Sequence, residues 1–429
     1  MSEWKALQLG DHADILSGFP FPSEGFSQEE GVPLIRIRDL LAGKVETYFI
    51  GPYPDEFVID DGDILIGMDG DFNIVRWTKG MALLNQRICK VFTSTPELDD
   101  GYLFWLLGPE LQDIHQKTPQ TTVKHLSVRD LNRLSIEVPQ VNEQKLIARI
   151  LDTLDFQIQK TEALIAKLEK VKEGLLHDLL TRGIDENGQL RPSPEQASEL
   201  YKESQLGLIP KQWSSMTVGE ALENKIILSI QDGNHGEVHP KNSEFTASGY
   251  PFVMANDIRE NEIDFENCHK IPQSIKNRLR IGFSKKGDVL LSHKGTIGNC
   301  AMVPREAGCV ILTPQVTYYR CNESSLRPEY LLSFFKTHIF QSPLYRLSGQ
   351  TTRSYLGITG QKALSLLMPP IEEQDLIKNT ISQIGQEVKG ERKHLVKLKT
   401  QKDGLMDDLL TGRVRVTALL DQAQAITQA

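Results

Sequence analysis

The sequence has no long apolar segment and only five cysteines in 429 residues. A membrane span needs about 20 mainly apolar residues, and no stretch of the chain approaches that length. The N-terminus also lacks the basic and apolar regions of a secretion signal, so we expect a cytoplasmic protein. The cysteines are odd in number and never form a C-x-x-C pair, which argues against a disulfide framework and a structural zinc site.

Motifs of the common nucleotide-dependent enzymes are also missing. The sequence contains no G-x-x-x-x-G-K-[ST] phosphate loop, no glycine-rich strand-to-helix fingerprint and no Asn/Asp-Pro-Pro-aromatic segment of adenine methyltransferases. HGEVH, from His235 to His239, comes nearest to a metal motif, but histidines four apart share a metal only on a helix, and glycines and a proline surround this segment. We therefore predict a polar loop there, and no catalytic residue, metal or cofactor in this chain.

Basic residues are fewer than acidic residues, and the charge is unevenly distributed along the chain. The net charge is −9, and residues 1–140 alone carry −10 while the remaining segments are close to neutral. This balance disfavours unaided DNA binding without excluding local contacts. Basic residues cluster in KNRLRIGFSKK, which begins at Lys276, and Lys294 follows. Such a cluster fits phosphate contacts, or else a basic face exposed to solvent.

What the sequence does contain is a duplication. GLLHDLLTRG (Gly174 to Gly183) matches GLMDDLLTGR (Gly404 to Arg413), and the segment from Gln120 to Ile147 matches that from Gln350 to Ile377 without a gap. About a third of the aligned positions are identical, over a period far longer than that of solenoid repeats. Upstream, GDILIGMDG resembles GDVLLSHKG, and VPLIRIRDL resembles YPFVMANDI. Each half is thus predicted to be a variable α/β domain, rich in short β-strand patterns, followed by a better-matched tail.

The tail of each half has the pattern of one long helix. Apolar residues recur with a 3.5-residue period over more than four heptads, as in a coiled-coil seam. Pro139 and Pro369 precede these segments, and Gly183 and Gly412 lie where the pattern ends. The predicted seam comprises Leu151, Leu154, Ile158, Ile165, Leu168, Leu175 and Leu179 in the first helix, and Ile381, Ile384, Val388, Leu395, Leu398, Leu405 and Leu409 in the second.

Charged residues interrupt the seam at matched positions. An antiparallel register would pair Lys172 with Glu391, or both side chains would reach solvent. Near the end of each helix, Leu176 and Leu180 in the first and Met406 and Leu410 in the second widen the apolar stripe beyond what two helices need. We interpret this surplus face as a docking surface for two copies of one partner.

These patterns predict an α+β protein with an internal pseudo-twofold repeat: two α/β domains separated by two long helices that form an antiparallel coiled coil. The predicted segments are a first domain (1–140), a central helix (141–183), a linker (184–212), a second domain (213–370), a distal helix (371–413) and a tail (414–429). We expect the tail to lie against the first domain.

Four phrases and the duplication together carry a family resemblance. P-x-x-x-E-Q-x-x-I opens each helix (Pro139 to Ile147 and Pro369 to Ile377), G-L-x-x-D-L-L-T closes it, and DGNHGEVHPKN and IPKQW occur in the second half. Over almost its whole length the chain resembles the specificity (S) subunit of type I restriction-modification systems. The resemblance implies two target recognition domains, 1–140 and 213–370, that each read one half of a split, asymmetric double-stranded DNA target, with the helices setting the spacer.

The same resemblance implies partners that supply the chemistry. The chain would have no catalysis of its own and would bind two methyltransferase subunits, which use S-adenosylmethionine, and motor-nuclease restriction subunits, which use ATP and Mg²⁺. The acidity of the first domain then implies that partner subunits neutralise many of the DNA phosphates. Two other functions fit the residues: a two-headed scaffold whose domains bind proteins or glycans, and a nuclease or methyltransferase without a recognisable motif.

Candidate DNA contacts are basic and amide side chains, chosen by charge and position. In the first domain they are Arg36, Arg38, Arg76, Arg87, Gln120, Thr121, Thr122 and Lys124. In the second domain they are Asn234, His235, Lys241, Lys276, Arg278, Arg280, Lys285, Lys286, Lys294, Gln350, Thr351, Thr352 and Arg353. The two Gln-Thr-Thr segments fit a helix cap equally well.

Overall fold

The structure, a computed structural model, describes residues 4–42, 44–118, 123–235, 238–349 and 355–420. The chain divides into two units: unit 1 consists of residues 1–163 and 392–429, and unit 2 of residues 164–391. Each long helix therefore contributes one part to each unit, whereas the predicted segments treat the helices as separate from the domains. The reason is packing, because the ends of both helices are buried in domain cores.

Unit 1 holds most of the elements of the first half of the chain. Its strands are β1 (Lys5–Gln8), β2 (Ala13–Ser17), β3 (Phe26–Ser27), β4 (Val32–Ile35), β5 (Tyr48–Phe49), β6 (Val58–Ile59), β7 (Ile64–Gly67), β8 (Ile74–Arg76), β9 (Ala82–Leu84), β10 (Ile88–Thr93) and β11 (Ser135–Val138). Its helices are α1 (Asp39–Ala42), α2 (Asp100–Lys117), α3 (Val128–Asn132) and the first part of α4 (Val141–Thr181).

Unit 2 holds the elements that follow. Its strands are β12 (Tyr201–Ser204), β13 (Gly207–Pro210), β14 (Ser214–Thr217), β15 (Ile227–Asp232), β16 (Tyr250–Val253), β17 (Ile258–Arg259), β18 (Glu262–Ile263), β19 (His269–Ile271), β20 (Phe283–Ser284), β21 (Val289–Ser292), β22 (Cys300–Met302), β23 (Val310–Leu312), β24 (Val316–Cys321) and β25 (Ser365–Met368). Its helices are α5 (Val218–Glu223), α6 (Gln273–Arg278), α7 (Pro328–Phe335), α8 (His338–Ser348), α9 (Ile358–Lys362) and the first part of α10 (Ile371–Leu410).

The two units repeat one sheet topology, which confirms the α+β duplication. In unit 1, β1 pairs with β11, β2-β10-β7-β8 form a four-stranded antiparallel sheet, and β3-β5-β4-β9-β6 form a mixed sheet. In unit 2, β14 pairs with β25, β15-β24-β21-β22 form the equivalent four-stranded sheet, and β19-β16-β23-β20 form a mixed sheet. The mixed sheets share a parallel pair, β4 with β9 and β16 with β23. The hairpins β12-β13 and β17-β18 are further pairs of unit 2.

The glutamine of each P-x-x-x-E-Q-x-x-I motif fixes the start of a long helix. Gln144 is fully buried, and its side-chain carbonyl accepts a hydrogen bond from the N–H of Asp99, the N-cap residue of α2, at 2.9 Å. Its amide nitrogen donates to the carbonyls of Glu97 and Pro139, also at 2.9 Å. Gln374 makes the equivalent three bonds in unit 2. All donors and acceptors of each amide group are thus used to hold the helix against its domain.

The glutamate of the same motif binds an arginine that follows the end of a long helix. Glu373 and Arg191 are 6% and 8% exposed, and their bidentate ion pair has N–O distances of 2.5 and 2.9 Å. The N–H of Ile184 donates to the same carboxylate at 2.9 Å. In unit 1, Arg415 of the C-terminal tail binds Glu143 at 2.8 Å. The described part of the tail, residues 414–420, therefore lies against the first domain, as the sequence predicts.

The long helices pack antiparallel along a short apolar seam in unit 1. Leu154, Ile158 and Leu398 form a buried cluster, against which Leu395 and Leu405 pack. All the other predicted seam residues are likewise buried or half-buried.

Two ion pairs flank this seam. Asp155 pairs with Lys402, and Glu162 with Lys399 at 2.7 Å. From the first pair to the second, the residue number rises in α4 and falls in α10, so the helices run antiparallel. The Lys402 ammonium also lies 4.7 Å from the centre of the Trp105 ring. Among the described residues, Lys172 and Glu391 form no ion pair, so the proposed pairing is wrong.

Both ends of the helices enter domain cores. Leu409 and Leu410 join the core of unit 1, and Leu179 and Leu180 join that of unit 2. Leu180 is completely buried. Our interpretation of the surplus apolar face at these positions as a partner-docking surface is therefore wrong, because the chain covers that face itself.

Candidate DNA-reading surface

Loops of the first domain meet at one end of its four-stranded sheet, which we call edge 1 (residues 36–38, 68–70, 85–87 and 123–126). The N–H of Met68, directly after β7, donates to the carbonyl of Arg87 at 2.8 Å, and Asp69 forms an isolated β-bridge with His125. The loop at 36–38 follows β4, which runs parallel to β9, so both strands end at the same edge. The sequence candidates Arg36, Arg38, Arg87 and Lys124 thus come together.

Unit 2 has the equivalent edge 2 (residues 233–235, 254–255, 293–295, 313–315 and 355–356). The N–H of His293 donates to the carbonyl of Gln315 at 2.9 Å, and the carbonyl of His293 accepts from Leu356 at 3.0 Å. Lys294 forms an isolated β-bridge with Tyr355. The backbone connections match those of edge 1, so Met68, Asp69 and Arg87 occupy the places of His293, Lys294 and Gln315.

Edge 1 presents a charged group built around one carboxylate. An oxygen of Asp69 lies 3.4 Å from a guanidinium nitrogen of Arg87, and the other oxygen lies 2.7 Å from Nδ1 of His125. Arg87 is 58% exposed at its side chain, and Asp69 is 23% exposed. Lys124 instead donates to the carbonyl of His115 at the end of α2. The guanidinium of Arg87 is therefore held on one side and open on the other.

Edge 2 contains a cavity, whereas edge 1 presents the side chain of Arg87. A cavity of about 330 Å³ is lined by residues that include His235, His239, Lys294, Thr313 and Gln315. Within the described part of unit 2, the Thr313 hydroxyl and Nδ1 of His239 are buried without a hydrogen-bond partner. His235 is held by Asp232 at 2.8 Å. The cavity therefore offers polar groups that a ligand can bind, next to the exposed ammonium of Lys294.

His293 lies beneath this edge with an unusual ring environment. Its side chain is fully buried, and neither ring nitrogen has a partner among the described residues. Burial lowers the pKa of His293 to about 4, against the opposing effect of the nearby Asp232 carboxylate. The ring is therefore neutral near pH 7, and it lies 5.5 Å from the ring of Tyr355.

Three sequence candidates have their polar groups engaged inside the chain. Arg76 donates to Asp152 of α4 at 2.9 Å and stacks on Phe104. Arg278 forms a bidentate ion pair with Glu244, which lowers the pKa of that carboxyl to about 2. The third, Asn234, is buried.

Asn234 organises the loop before the cavity. Its side-chain carbonyl accepts a hydrogen bond from the N–H of Arg280, and its amide donates to the carbonyl of Ile281. The amide group of Asn234 is thus used within the protein, like the charged groups of Arg76 and Arg278. The structure gives no support to the prediction that these three side chains contact DNA.

The basic cluster KNRLRIGFSKK is divided by the fold. Arg280 lies near edge 2, since its backbone is tied to Asn234. Lys276 lies on α6 over the ring of Tyr250, at 3.8 Å. Lys285 and Lys286 precede β21, whose other end leads into edge 2, so about 13 Å of strand separates them from that edge.

The other candidates remain predictions. Arg38 lies 3.6 Å from Asp39, the N–H of Arg36 donates to the same carboxylate at 2.9 Å, and Lys241 is exposed. Gln120, Thr121, Thr122, Gln350, Thr351, Thr352 and Arg353 lie outside the described residues, although each segment directly precedes a strand partner of edge 1 or edge 2.

Sequence reasoning missed several edge residues: Asp69, His125, His293, Thr313 and Tyr355. A signal was available for two of them, because the turns of GDILIGMDG and GDVLLSHKG align. Their chemistry could not be predicted, since it depends on contacts with residues distant in sequence. Among the described residues, no group of three or more His, Cys, Asp or Glu side chains could hold a metal ion. All five cysteines are free, and no helix in the described ranges is long and apolar enough to cross a membrane.

Comparison with known proteins identifies the family. A family model described as the type I restriction modification DNA specificity domain matches residues 1–170 and 213–400. The chain is 30% identical over 386 residues, 89% of this chain and 79% of the relative, to the type I restriction enzyme EcoBI specificity subunit of Escherichia coli. It is 24% identical, over 97% of this chain and 94% of the relative, to the MjaVIII specificity subunit of Methanocaldococcus jannaschii.

The fold agrees with these matches. The S subunit of a type I restriction-modification system from M. genitalium has a crystal structure that matches with a TM-score of 0.60 at 17% identity, covering 95% of this chain and 96% of that one. Nothing in the comparisons supports a scaffold that binds proteins or glycans. The chain belongs to the specificity (S) subunits of type I restriction-modification systems.

Proposed function

We propose that this chain reads DNA and has no catalytic activity of its own. Edges 1 and 2 share their backbone connections but present different side chains: Asp69 and Arg87 stand where Lys294 and Gln315 stand in the second domain. Hydrogen bonds from side chains to base edges carry sequence information, so two such edges would read two different short sequences. The two edges thus share a backbone arrangement but differ in their side chains. This observation supports a target with two different half-sites.

Contacts to phosphates would come from exposed basic side chains around the edges. Arg38 at edge 1, Lys294 at edge 2 and Arg280 near edge 2 are exposed, and Arg36 at edge 1 is half-buried. The net charge of −10 in residues 1–140 opposes DNA approach to the first domain. We therefore expect the chain alone to bind DNA weakly, and partner subunits to supply much of the phosphate neutralisation.

The partners would be two methyltransferase subunits and the motor-nuclease restriction subunits. Duplication of the helices supports two copies of one partner, because two similar outer surfaces bind two identical subunits. Phe156, Leu164 and Val171 of α4 are exposed apolar residues, as are Leu376 and Val396 of α10. Their burial would stabilise the complex, and we propose these residues as methyltransferase contacts in place of the buried leucines at the helix ends. They do not occupy matched positions of the two helices, so the support for two copies comes from the duplication and not from these five residues.

The chemistry would lie in those partners. S-adenosylmethionine, ATP and Mg²⁺ would bind to them, and this chain would hold none of the three. Lack of a phosphate loop and of a methyltransferase motif in the sequence supports this assignment. Access to cellular DNA requires a cytoplasmic location for the complex.

The long helices would set the distance between the half-sites. α4 has 41 residues and α10 has 40, which at 1.5 Å per residue gives about 60 Å for each helix. A coiled coil keeps its length because side chains interlock along the seam, and Leu154, Ile158 and Leu398 provide such packing in unit 1. A rigid spacer of this kind allows only one separation of the two half-sites.

The test uses the chain alone and the chain produced with a methyltransferase subunit, in a host without other adenine methylation. Methylated adenines are mapped across the genome, and binding to a duplex with the mapped target is measured at 50 and 200 mM salt. We expect methylation at one split sequence from the complex only. Binding of the complex should be salt-dependent and lost when either half-site is scrambled.

Three results would contradict the proposal. Methylation by the chain alone would show that it is an enzyme. A complex that binds scrambled and intact duplexes equally would show that the domains do not read sequence. Failure of the chain to copurify with the methyltransferase subunit would remove the proposed partner.

A further inference from the structure

We propose that Arg87 reads a guanine in the half-site of the first domain, and that Asp69 is the positioning residue that holds its guanidinium. The inference rests on the proposed function, because it requires edge 1 to face DNA. It goes further by assigning one base to one side chain.

The backbone of Arg87 has a conformation that residues with a Cβ rarely adopt. Its φ is +77°, in the left-handed region where glycine is favoured. The conformation is imposed by its neighbours, since the carbonyl of Arg87 accepts the N–H of Met68 and β10 begins at the next residue. Strained backbone that surrounding structure maintains is concentrated at functional sites. The chain has an arginine at a position where glycine would adopt the backbone conformation with less strain. This points to a role for the guanidinium.

Within the described part of the chain, the side chain has an ion-pair partner on one edge only. The nearest guanidinium nitrogen lies 3.4 Å from an oxygen of Asp69, and the other oxygen of Asp69 is fixed by His125 at 2.7 Å. Because a guanidinium has five N–H donors in a planar fork, this contact leaves donors open to solvent. Two parallel N–H donors match the O6 and N7 acceptors that guanine presents in the major groove.

Two other candidate arginines lack this combination. Arg278 uses both guanidinium ends on Glu244. Arg76 is fixed by Asp152 and stacked on Phe104. Neither has an open edge in a held orientation, whereas Arg87 does.

Edge 2 cannot read DNA in the same way. Gln315 takes the place of Arg87, and its side-chain carbonyl already accepts the N–H of Ala255 at 3.2 Å. Lys294 takes the place of Asp69, so the carboxylate that would hold an arginine is replaced by a cation. The two domains therefore differ at the position where the first would recognise guanine, as an asymmetric target requires.

The simplest alternative is an ordinary surface ion pair between Arg87 and Asp69. Such pairs contribute little when both groups are exposed and do not need a strained backbone. A second alternative is a phosphate contact, which carries no sequence information. The two alternatives and the guanine contact predict different results for the same variants.

Three variants of the complex with its methyltransferase subunits are needed. Arg87→Gly removes the side chain and relieves the backbone, so it keeps the fold. Arg87→Lys keeps the charge but loses the planar fork. Asp69→Asn keeps the shape of the positioning residue and removes its charge. Arg133→Ala is the matched control, because it removes an exposed arginine of the same domain that lies away from edge 1. The carbonyl of the neighbouring Leu134 accepts the N–H of Leu9, which precedes β2, whereas edge 1 lies at the other end of that strand.

The target of the wild-type complex is first defined by mapping methylated adenines, and binding is then measured with each base pair of the target substituted in turn. We expect one G·C pair in one half-site whose substitution weakens the wild type roughly tenfold to a hundredfold. Arg87→Gly and Arg87→Lys should both abolish that difference at this position and nowhere else. Asp69→Asn should reduce it, and Arg133→Ala should leave it unchanged.

Several outcomes would overturn the inference. Equal weakening of all duplexes by Arg87→Gly, with rescue by Arg87→Lys, would identify a phosphate contact. An unchanged substitution profile would identify a surface ion pair. A target with no guanine at an affected position would exclude the assignment while leaving the proposed function intact. A wild-type complex without any bipartite preference would overturn the proposed function, and this inference with it.

Discussion

Arg191→Ala should destabilise unit 2 more than a typical surface substitution does. Arg191 is 8% exposed and Glu373 is 6% exposed, so the substitution leaves a buried carboxylate whose described hydrogen bond is the one from the Ile184 N–H. Removing one partner of a buried ion pair costs about 3–5 kcal/mol. In a domain of this size that corresponds to a fall in melting temperature of roughly 10 °C. Arg415→Ala in unit 1 should cost less, because the Arg415 side chain is 30% exposed.

Calorimetry gives the change in melting temperature, and hydrogen exchange followed by mass spectrometry assigns it to a unit. Peptides from residues 184–213 should exchange faster in Arg191→Ala, while those of the sheet β2-β10-β7-β8 should not. The double variant Arg191→Met with Glu373→Met is the decisive control. It should recover most of the loss, because a buried ion pair can be replaced by apolar groups at little cost. Additive losses in the double variant, or a loss below about 1 kcal/mol in Arg191→Ala, would refute the reasoning.

Two further predictions concern buried titratable side chains of unit 2. Burial lowers the pKa of His293 to about 4. Below about pH 6.5 the unfolded chain therefore binds a proton at this residue, while the folded chain does not. The free energy of unfolding should fall as pH drops from 6.5 to 4, by at most about 3 kcal/mol. His293→Met places at this position the residue that Met68 provides in edge 1, and it should reduce the loss of stability, measured by urea unfolding at pH 7 and 4.5. If the variant and the wild type lose equal stability in acid, His293 is not the source of that loss. Burial also lowers the pKa of Lys336 below its ordinary value of 10.5, with a smaller effect of Lys172, so Lys336→Met should stabilise the protein at pH 7. The gain should shrink as pH rises towards 10.5. A constant gain across that range would show that packing and not charge is responsible.

The long helices and their motif could be predicted from the sequence because their signals are local. Heptad spacing predicts α4 and α10, and the E-Q pair in each half marks a helix start that Gln144 and Gln374 fix by the same three hydrogen bonds. The position of the helix ends in domain cores could not be predicted. It depends on strands and helices far away in the chain, and so Leu180 and Leu410 were misinterpreted.

Candidate DNA contacts were harder to predict, because charge alone does not distinguish an engaged arginine from an open one. The partner of Arg76 lies 76 residues away, and that of Arg278 lies 34 residues away. Arg87 and Asp69 are separated by fewer residues, yet their proximity depends on the hydrogen bond between Arg87 and Met68 after two strands have paired. The aligned GMDG and SHKG turns mark matched positions in the two halves, but they do not indicate which contacts their side chains make.

We propose that α4 and α10 hold the two reading domains at a fixed separation. The most direct test inserts one heptad into each helix at the matched points where the chain passes between units, after Ala163 and after Glu391, and maps methylated adenines made by the complex. Seven residues add roughly 10.5 Å, or about 3 bp at 3.4 Å per base pair. Both half-sites should keep their sequences while the spacer lengthens by about 3 bp. Unchanged spacing from an active, folded complex would contradict the proposal.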